Sequence, residues 1–359
     1  MLIVAHNASP VVGGGEIWLE RLLNGLRTRG HQCIAACGSN AVADMMRGTG
    51  IEASLVRLGG DAMLTDAVAF ARILRKAEPD ALLITTFKKM WLGGMAGRLA
   101  KIPRIIARTA VSSHRARNFT YTIPIRHFVD VVVANASGVR DPLLESIGTI
   151  DPARIITIYD GVPPQVPRIT REAYRATLGI SASAAVIGSV GRLVPQKRYD
   201  RLLHAFARLP PDSHLIVSGE GPQRPALERL SAELGVTSRA HFPGFASCPA
   251  DALNALDVFV LSSDFEGLSN AMLEAMALGI PVVTTPVSGA LDSMESFPDG
   301  TRPGVTAAPN PESLSQEIMH LLNDPQLRKK TGAAGSRRVA QRFAFERMLD
   351  EWEKLCLPR

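Results

Sequence analysis

The stretch DVFVLSSDFEGLSNAMLEAMALGIPVVTT, residues 257–285, contains two short apolar runs separated by a loop and a helix-like segment. The runs VFVL and PVVTT read as strands, and NAMLEAMALG between them has its apolar residues at helical spacing. Strands that are apolar throughout and alternate with helices are typical of a parallel sheet covered on both faces. The stretch therefore predicts a doubly wound α/β fold.

The same alternation extends through the rest of the chain. The strand-like runs before the opening stretch are LIVA, CIAAC, ALLITT, RIIARTA, VDVVVAN, RIITIY, AAVIGSVG and HLIVSGEG. The proline-rich sequence DGVPPQVPRITREAY interrupts the pattern midway, which is typical of a domain boundary. With 359 residues and 46% hydrophobic content, the chain is long enough for two cores. We therefore predict one domain over residues 1–162 and a second over residues 163–340.

A final helix is predicted within residues 341–359. The segment FAFERMLDEWEKLCL places Phe345, Met348, Trp352 and Leu355 on one helical stripe. We expect this helix to cross back from the second domain and pack on the first.

The positive charge of the chain is concentrated in its first half. Residues 1–165 hold 19 Lys and Arg against 13 Asp and Glu, a balance of +6, whereas residues 166–359 hold 21 of each. Residues 81–129 contain nine basic and no acidic side chains. A region of one sign attracts anionic partners.

Three interpretations of this basic region are open. Nucleic-acid binding is not favoured, because no nucleic-acid motif is present and aromatic residues make up only 5% of the chain. A solvated basic face is the second interpretation. The third, which we favour, is docking to an anionic membrane surface through residues 113–128, SHRARNFTYTIPIRHF, where apolar side chains alternate with cations.

The sequence also bears on location. Its opening, MLIVAHN, has no basic stretch before a short apolar run, and no apolar run approaches the roughly 18 residues of a membrane span. We expect a cytoplasmic protein, peripheral on the inner face of the plasma membrane if residues 113–128 dock there. The four scattered cysteines, Cys33, Cys37, Cys248 and Cys356, are expected to be reduced packing residues.

Two carboxylates in the opening stretch, Glu266 and Glu274, lie eight positions apart around a run of small residues. In a doubly wound sheet, ligands bind beyond the carboxyl ends of the strands, where backbone N–H groups at a helix start can hold a phosphate. The amides of residues 267–270 are placed for this. Carboxylates suit vicinal hydroxyls, so the pair fits a ligand with sugars on both sides of a diphosphate. In isolation, such spacing would more often mean two solvated helix acids.

The cations that a diphosphate requires follow another strand. GRLVPQKR places Arg192 directly after AAVIGSVG and Lys197 just before the next helix. Arginine can pair with phosphate oxygens in a fork and lysine as a point charge. A turn at residues 219–222, after a third strand, can bring backbone against a base or phosphate. Together these features indicate a nucleotide sugar.

The motifs GRLVPQKR, GEGPQRPALE, FPGF and EGLSNAMLEAMALGIPVVTT, in this order, resemble the retaining glycosyltransferases of family 4. The first-half sequence VVGGGEIWLERLLNGLRTRGH is also similar to that family's opening loop and helix. The resemblance implies the GT-B architecture, in which two Rossmann-like domains face a central cleft. The first domain would be the acceptor side, and the second would bind the nucleotide sugar.

The resemblance also implies roles for individual residues. Arg192 and Lys197 would hold the donor diphosphate, Glu266 the transferred sugar and Glu274 the ribose. The remaining donor contacts would come from Gly191, Glu220, Gly221, Gly267, Leu268, Ser269 and Asn270, and from Gly14 and Gly15 of the opposite domain. Alone, the glycine run at 13–15 would be only a weak signal, because it lacks the dinucleotide-binding spacing.

Acceptor-side residues are expected near the RIIARTA strand, where Arg108 and His114 are the candidates. A generic surface histidine is as plausible for His114. The family usually has Asn-Gly-Val-Asp after the last strand of the first domain, whereas this chain has DGVP at 160–163.

The function that the resemblance implies is transfer of a sugar with retention of configuration, without a divalent metal or other cofactor. We favour a UDP-linked donor and a glycan or lipid-linked acceptor in cell-envelope or exopolysaccharide synthesis. A nucleotide-sugar epimerase on the same fold and a non-catalytic nucleotide-sugar-binding protein are the alternatives.

Overall fold

The computed structural model describes residues 1–59, 64–110, 119–147 and 150–357, without the side chains of residues 119–121. The chain divides into two compact units. Unit 1 comprises Met1–Asp160 and Glu346–Arg359, and unit 2 comprises Gly161–Phe345. Among the described residues, no helix is both long enough and apolar enough to span a bilayer.

Unit 1 is built on a parallel sheet of seven strands within the described residues. The strands are β1 (Leu2–Asn7), β2 (Gln32–Cys37), β3 (Glu52–Leu55), β4 (Ala81–Ile84), β5 (Arg104–Thr109), β6 (Val131–Ala134) and β7 (Ile155–Thr157). The helices are α1 (Gly14–Thr28), α2 (Asn40–Gly48), α3 (Leu64–Ala77), α4 (Met90–Leu99), α5 (Phe119–His127) and α6 (Ser137–Ile147). The strand order is β3-β2-β1-β4-β5-β6-β7, so the order reverses between β1 and β4.

Unit 2 is built on a parallel sheet of six strands within the described residues. The strands are β8 (Val186–Val190), β9 (His214–Ser218), β10 (Ala240–Gly244), β11 (Val258–Leu261), β12 (Val282–Thr284) and β13 (Val305–Thr306). The helices are α7 (Arg171–Thr177), α8 (Tyr199–Phe206), α9 (Arg224–Glu233), α10 (Pro249–Asn254), α11 (Asn270–Ala277), α12 (Ser288–Met294), α13 (Pro311–Asn323) and α14 (Pro325–Arg342). The strand order β10-β9-β8-β11-β12-β13 reverses between β8 and β11.

Several strands of the two sheets have the complete burial that their continuous apolar sequences predict. Every residue of β4, β6 and β11 is buried, as expected for strands covered by helices on both faces. The doubly wound α/β prediction is confirmed. In such sheets a crevice forms at the carboxyl ends of the two strands where the order reverses, so β8 and β11 mark the site in unit 2.

The last helix, α15 (Phe345–Cys356), packs in unit 1. Trp352 lies with its ring 5.5 Å from that of Trp18, whose Nε1 donates to Met348 Sδ at 3.3 Å. Arg29 forms ion pairs with three acids of this helix: Glu346 at 2.6 Å, Asp350 at 2.7 Å and Glu353 at 2.9 Å.

The buried stripe of α15 differs in part from the predicted one. Met348 and Trp352 are buried as predicted, but Leu349 and Cys356 are the other buried members. Phe345 and Leu355 are only half-buried. Because an α-helix repeats every 3.6 residues, Leu349 and Trp352, one and four positions after Met348, lie on the same side of the helix as Met348.

The cysteines are free thiols, and three of them are core residues. Cys33, Cys37 and Cys356 are buried, and Cys248 is half-buried. Burial raises the pKa of Cys33 and Cys37 to about 11 and that of Cys356 to about 12. Since the reactive form is the thiolate, the three buried cysteines are packing residues.

A buried histidine should make unit 1 sensitive to acid. His6 on β1 is fully buried, 3.4 Å from the carbonyl of Val56, with its ring 5.3 Å from that of Phe70. Desolvation, opposed by the Val56 carbonyl and assisted by the charge of Lys89, lowers the pKa of His6 to about 4. The unfolded chain, with an ordinary pKa of 6.5, binds the proton first. The stabilising contribution is therefore present above pH 6.5 and is lost as the pH falls towards 4.

We expect this effect to reach roughly 3 kcal/mol at pH 4, because one pKa unit corresponds to about 1.4 kcal/mol. Trp18, Trp91 and Trp352 all lie in unit 1, so tryptophan fluorescence during urea unfolding reports on that unit. The wild type should lose more stability than His6→Phe between pH 7.5 and pH 4.5. Equal losses in the two proteins would contradict the assignment.

Candidate functional site

The carboxyl ends of β8 and β11 bring the two principal charged residues of the site together. Lys197, in the loop after β8, lies with Nζ 2.5 Å from Glu266 Oε1, in the loop after β11. Their side chains are only 17% and 12% exposed. Glu266 Oε1 also accepts a hydrogen bond from Ser263 Oγ at 3.0 Å. The structure thus joins a cation and an acid that are 69 residues apart in the sequence.

The loop after β8 presents a second cation. It ends in a 3-10 turn, Pro195–Lys197, whose last residue is followed by Arg198 in the left-handed conformation at φ 50°. Arg192, at the beginning of the loop, is exposed and has no ion-pair partner among the described residues. An exposed arginine and a lysine carried by the same loop suit the binding of an anion with two phosphates.

Helix α11 starts at this same edge. Its N-cap, Ser269, makes no side-chain hydrogen bond to the first turn, so the hydroxyl does not occupy the first-turn amides. Leu268 and Ser269 are buried at 6% and 4% exposure. Glu274 lies one turn after Asn270 and is 4% exposed. Both predicted carboxylates are therefore in protected positions, one before the helix and one within it, rather than solvated.

The glycines of the site allow two loops to interlock. Gly191 N–H donates to the Ser218 carbonyl at 2.9 Å, and Leu193 N–H to the Glu220 carbonyl at 2.9 Å. A Cβ on Gly219 would lie 1.9 Å from the Gly191 carbonyl oxygen, which only glycine permits. The loops after β8 and β9 therefore extend the sheet as one surface.

Two other residues predicted to contact the donor, Glu220 and Gly221, lie on this surface. The side chain of Glu220 is 53% exposed and pairs with Arg224 at 2.6 Å. Gly221 packs on the Leu193 carbonyl, where a Cβ would be 2.4 Å from the oxygen.

Gly289 was not predicted from the sequence. It packs against Gly267 and Leu268, in the loop between β11 and α11. A Cβ at this position in α12 would lie 1.7 Å from the Gly267 carbonyl oxygen and 2.7 Å from Leu268 Cα. The first residues of α12 therefore support the backbone of the loop that carries the predicted sugar and phosphate contacts. A glycine early in a helix is the only signal for it in the sequence.

We expect Gly289→Ala to weaken donor binding by about tenfold or more, because even small displacements of a positioning loop are costly. Nucleotide-sugar affinity measured by calorimetry tests this. Gly48→Ala, at a glycine with no atom within 4 Å of the added Cβ, is the matched control and should bind normally. Normal affinity in Gly289→Ala would contradict the supporting role.

In unit 1, the predicted glycine loop leads into α1. Gly13 is the N-cap, and Gly14 and Gly15 are the first helical residues. Glu16 accepts a hydrogen bond from Gly13 N–H at 3.0 Å and another from Asn7 Nδ2 at 3.1 Å, which fastens the end of the loop to β1. Glu16 thus supplies the carboxylate half of a capping box, whereas Gly13 has no side chain to supply the other half. Closure of this loop over a donor stays a prediction.

The predicted acceptor-side residues have different outcomes. Arg108 is 4% exposed and donates to both carboxylate oxygens of Asp160 at 2.8 Å. Its guanidinium also lies 3.7 Å from the centre of the Trp18 ring. These internal contacts of unit 1 hold the Arg108 side chain at the end of β5, and its acceptor-side role stays a prediction. His114 lies outside the described residues.

Most of the predicted membrane-docking segment, residues 113–128, lies outside the described side chains. Among those described, Ile125 is fully buried, and Phe128 packs edge-on against Trp91 with ring centres 5.6 Å apart. Ile125 belongs to the core of unit 1, and Phe128 is half-buried against the ring of Trp91. Arg126 is exposed. Membrane docking stays a prediction, without Ile125 and Phe128.

Two protein-family models match the chain. Glyco_transf_4, described as Glycosyltransferase Family 4, matches residues 12–166, and Glycos_transf_1, described as Glycosyl transferases group 1, matches residues 170–338. The two matches cover the two halves of the chain in turn.

Two curated relatives from Rhizobium meliloti (strain 1021) are named as glycosyltransferases. The lipopolysaccharide core biosynthesis glycosyltransferase LpsE is 31% identical over 226 residues, covering 63% of this chain and 64% of LpsE, slightly under two thirds of its length. The lipopolysaccharide core biosynthesis glycosyltransferase LpsD is 25% identical over 351 residues, covering 97% of this chain and 96% of LpsD.

Solved structures share the fold of the whole chain. HepE from Anabaena, solved in complex with UDP-glucose, superimposes with a TM-score of 0.84 at 20% identity, covering 99% of this chain and 98% of HepE. WaaG, a glycosyltransferase involved in lipopolysaccharide biosynthesis, superimposes with a TM-score of 0.72 at 19% identity, covering 99% of each chain. At these identities the likeness establishes the fold alone. Together with the family matches over both halves, it leads to the conclusion that this chain is a glycosyltransferase of family 4 with the GT-B fold.

Proposed function

We propose that this glycosyltransferase moves a sugar from a UDP-linked donor to a glycan or lipid-linked acceptor, with retention of configuration, in the synthesis of a cell-envelope polysaccharide or lipopolysaccharide. The observation that carries the proposal is the Lys197–Glu266 pair at the β8 and β11 edge, next to the start of α11. The lipopolysaccharide-core names of LpsE and LpsD support the acceptor class, and the UDP-glucose complex of HepE supports the nucleotide.

In the proposed complex, the diphosphate lies between the cations and the start of α11. Arg192 and Lys197 pair with its oxygens, and the amides of residues 267–270 donate to it, assisted by the helix dipole. As the bond to the sugar breaks, negative charge accumulates on the leaving phosphate. Cations and amides that are already in place stabilise this charge most at that moment, and they can do so without a divalent metal.

The two glutamates bind hydroxyl groups. Glu274, buried one turn into α11, accepts hydrogen bonds from the ribose, and Glu266 accepts them from the transferred sugar. Donor binding replaces the Lys197–Glu266 ion pair with two new sets of contacts, phosphate on the lysine and hydroxyl on the glutamate. Before the donor binds, the ion pair therefore holds each side chain close to the position where its contact with the donor forms.

Retention follows from attack on the face that the diphosphate leaves. Glu266 is engaged with sugar hydroxyls rather than placed as a nucleophile below the anomeric carbon, so no covalent glycosyl intermediate is invoked. The leaving phosphate accepts the proton of the acceptor hydroxyl, and the cations of the site keep that phosphate close to it.

The test begins with a panel of nucleotide sugars. The bound donor should raise the melting temperature by mass action, and UDP-linked sugars should do so most. Products formed from that donor and an acceptor glycan are then identified by NMR, which also gives the anomeric configuration. A glycoside of inverted configuration would overturn the retaining mechanism. An altered nucleotide sugar without glycoside would indicate the epimerase alternative.

A further inference from the structure

The relative position of Lys197 and Glu266 depends on two loops that belong to different strands. These loops are joined by backbone and amide contacts. Asp264 N–H donates to the Gln196 carbonyl at 3.0 Å, and Gln196 Nε2 donates to the Phe265 carbonyl at 2.7 Å. Ser262 Oγ donates to the carbonyl of Lys197 itself at 2.8 Å. Cross-loop bonds therefore join Gln196 and Lys197 to the residues that directly precede Glu266.

Asp264 adds charged contacts to this junction. Its carboxylate accepts from Arg198 at 3.1 Å and from Arg201 at 2.6 Å. Arg201 is 7% exposed and also donates to the Ser262 carbonyl at 2.8 Å. Asp264 therefore ties the loop that carries Glu266 to the first turn of α8, directly after Lys197.

Desolvation acts against the ionised form of Asp264, but hydrogen bonds from Arg201 and Arg198 outweigh it and hold the pKa of this carboxyl below its usual value. The carboxylate therefore stays charged at neutral pH.

The backbone at Arg198 indicates that the junction holds a particular geometry. Arg198 has φ 50° and ψ 46°, a left-handed conformation that non-glycine residues adopt rarely and at a steric cost. This conformation turns the chain between Lys197 and α8. Arg198 donates to Asp200 as well as to Asp264, so its side chain is held at two points while its backbone makes the turn.

We propose that Asp264, with Arg198 and Arg201, is a positioning device that sets the distance between Lys197 and Glu266 for the transfer step. The proposal rests on the proposed function of that pair. Asp264 does not contact the donor in this assignment. It acts by keeping the ammonium on the diphosphate and the Glu266 carboxylate on the sugar at the same time, which the transition state needs more than the bound ground state does.

The experiment compares Asp264→Ala, Asp264→Asn and wild type in steady-state transfer with the donor identified by the panel. Asp264→Ala should lower kcat by about one to two orders of magnitude, since displacements near 1 Å can cost a hundredfold. Its donor KM should change by less than about threefold, because Arg192, Glu274 and the α11 amides are untouched. Asp264→Asn keeps the volume and one accepting oxygen and should recover part of kcat.

Arg198→Gly is a second variant, and it tests the same junction even if Asp264→Ala does not fold. Glycine accepts the left-handed backbone without strain, so the turn persists while Asp264 and Asp200 each lose their ion pair with Arg198. We expect a smaller loss of kcat than in Asp264→Ala, since Arg201 still binds Asp264.

Glu312→Gln, which removes the exposed Arg208–Glu312 ion pair elsewhere in unit 2, is the control and should have wild-type kinetics. An unchanged kcat in folded Asp264→Ala, or a loss that appears entirely in donor KM, would overturn the positioning role. Failure of the proposed function looks different, because wild type itself would then show no transfer from any donor in the panel.

Discussion

Glu266→Ala and Glu266→Gln are expected to lose sugar transfer almost completely, with kcat/KM reduced by about three orders of magnitude, while the binding of UDP alone is maintained or strengthened. The opposite effects have one cause. Glu266 lies 2.5 Å from the ammonium of Lys197, so its negative charge favours a sugar hydroxyl but opposes a diphosphate oxygen at the same place. Its removal leaves Lys197 fully available to UDP and leaves the transferred sugar without its acceptor.

Titration calorimetry with UDP and with the intact nucleotide sugar measures the two halves of this expectation separately. Wild type should gain affinity from the sugar, and the Glu266 variants should not. Lys197→Ala is the informative counterpart, since it should weaken UDP and nucleotide sugar alike. Near-normal turnover in Glu266→Ala, or a parallel loss of UDP affinity, would be incompatible with the role assigned to this residue.

The sequence predicted the part of the site that depends on topology. Arg192, Lys197 and Glu266 each follow an apolar strand, and parallel strands deliver such residues to one edge of the sheet whatever the details of packing. The ion pair between Lys197 and Glu266 was not predicted. Its distance depends on how two loops meet, which Gly289 and Asp264 decide through contacts with no periodic signature.

Arg108 illustrates the limit of reasoning from strand ends. The resemblance to family 4 implied an acceptor-side position for it, at the end of β5. The structure pairs it with Asp160, which follows β7 and is 52 residues away in the sequence, and the sequence did not predict this contact. Only the neighbouring positions of β5, β6 and β7 reveal this contact.

Arg108→Ala is therefore expected to destabilise unit 1 by about 3–5 kcal/mol, because it leaves the buried carboxylate of Asp160 without its charged partner. Asp160 is 2% exposed, and Asn135 Nδ2, which donates to it at 3.0 Å, would be its remaining side-chain donor among the described contacts. The loss of contact between the guanidinium and the Trp18 ring adds to the effect. Urea unfolding followed by tryptophan fluorescence measures it in this unit.

A double variant separates the charge from the packing. In Arg108→Met/Asp160→Asn both charges are removed together, and the asparagine can still accept from Asn135. Buried ion pairs replaced as a pair are often close to neutral in stability, so the double variant should recover most of what Arg108→Ala loses. Asp44→Ala, which breaks the exposed Arg47–Asp44 pair at 2.9 Å, should cost no more than about 1 kcal/mol. A double variant as unstable as Arg108→Ala would show that the packing of the arginine on Trp18, rather than its pairing with Asp160, stabilises the end of β5.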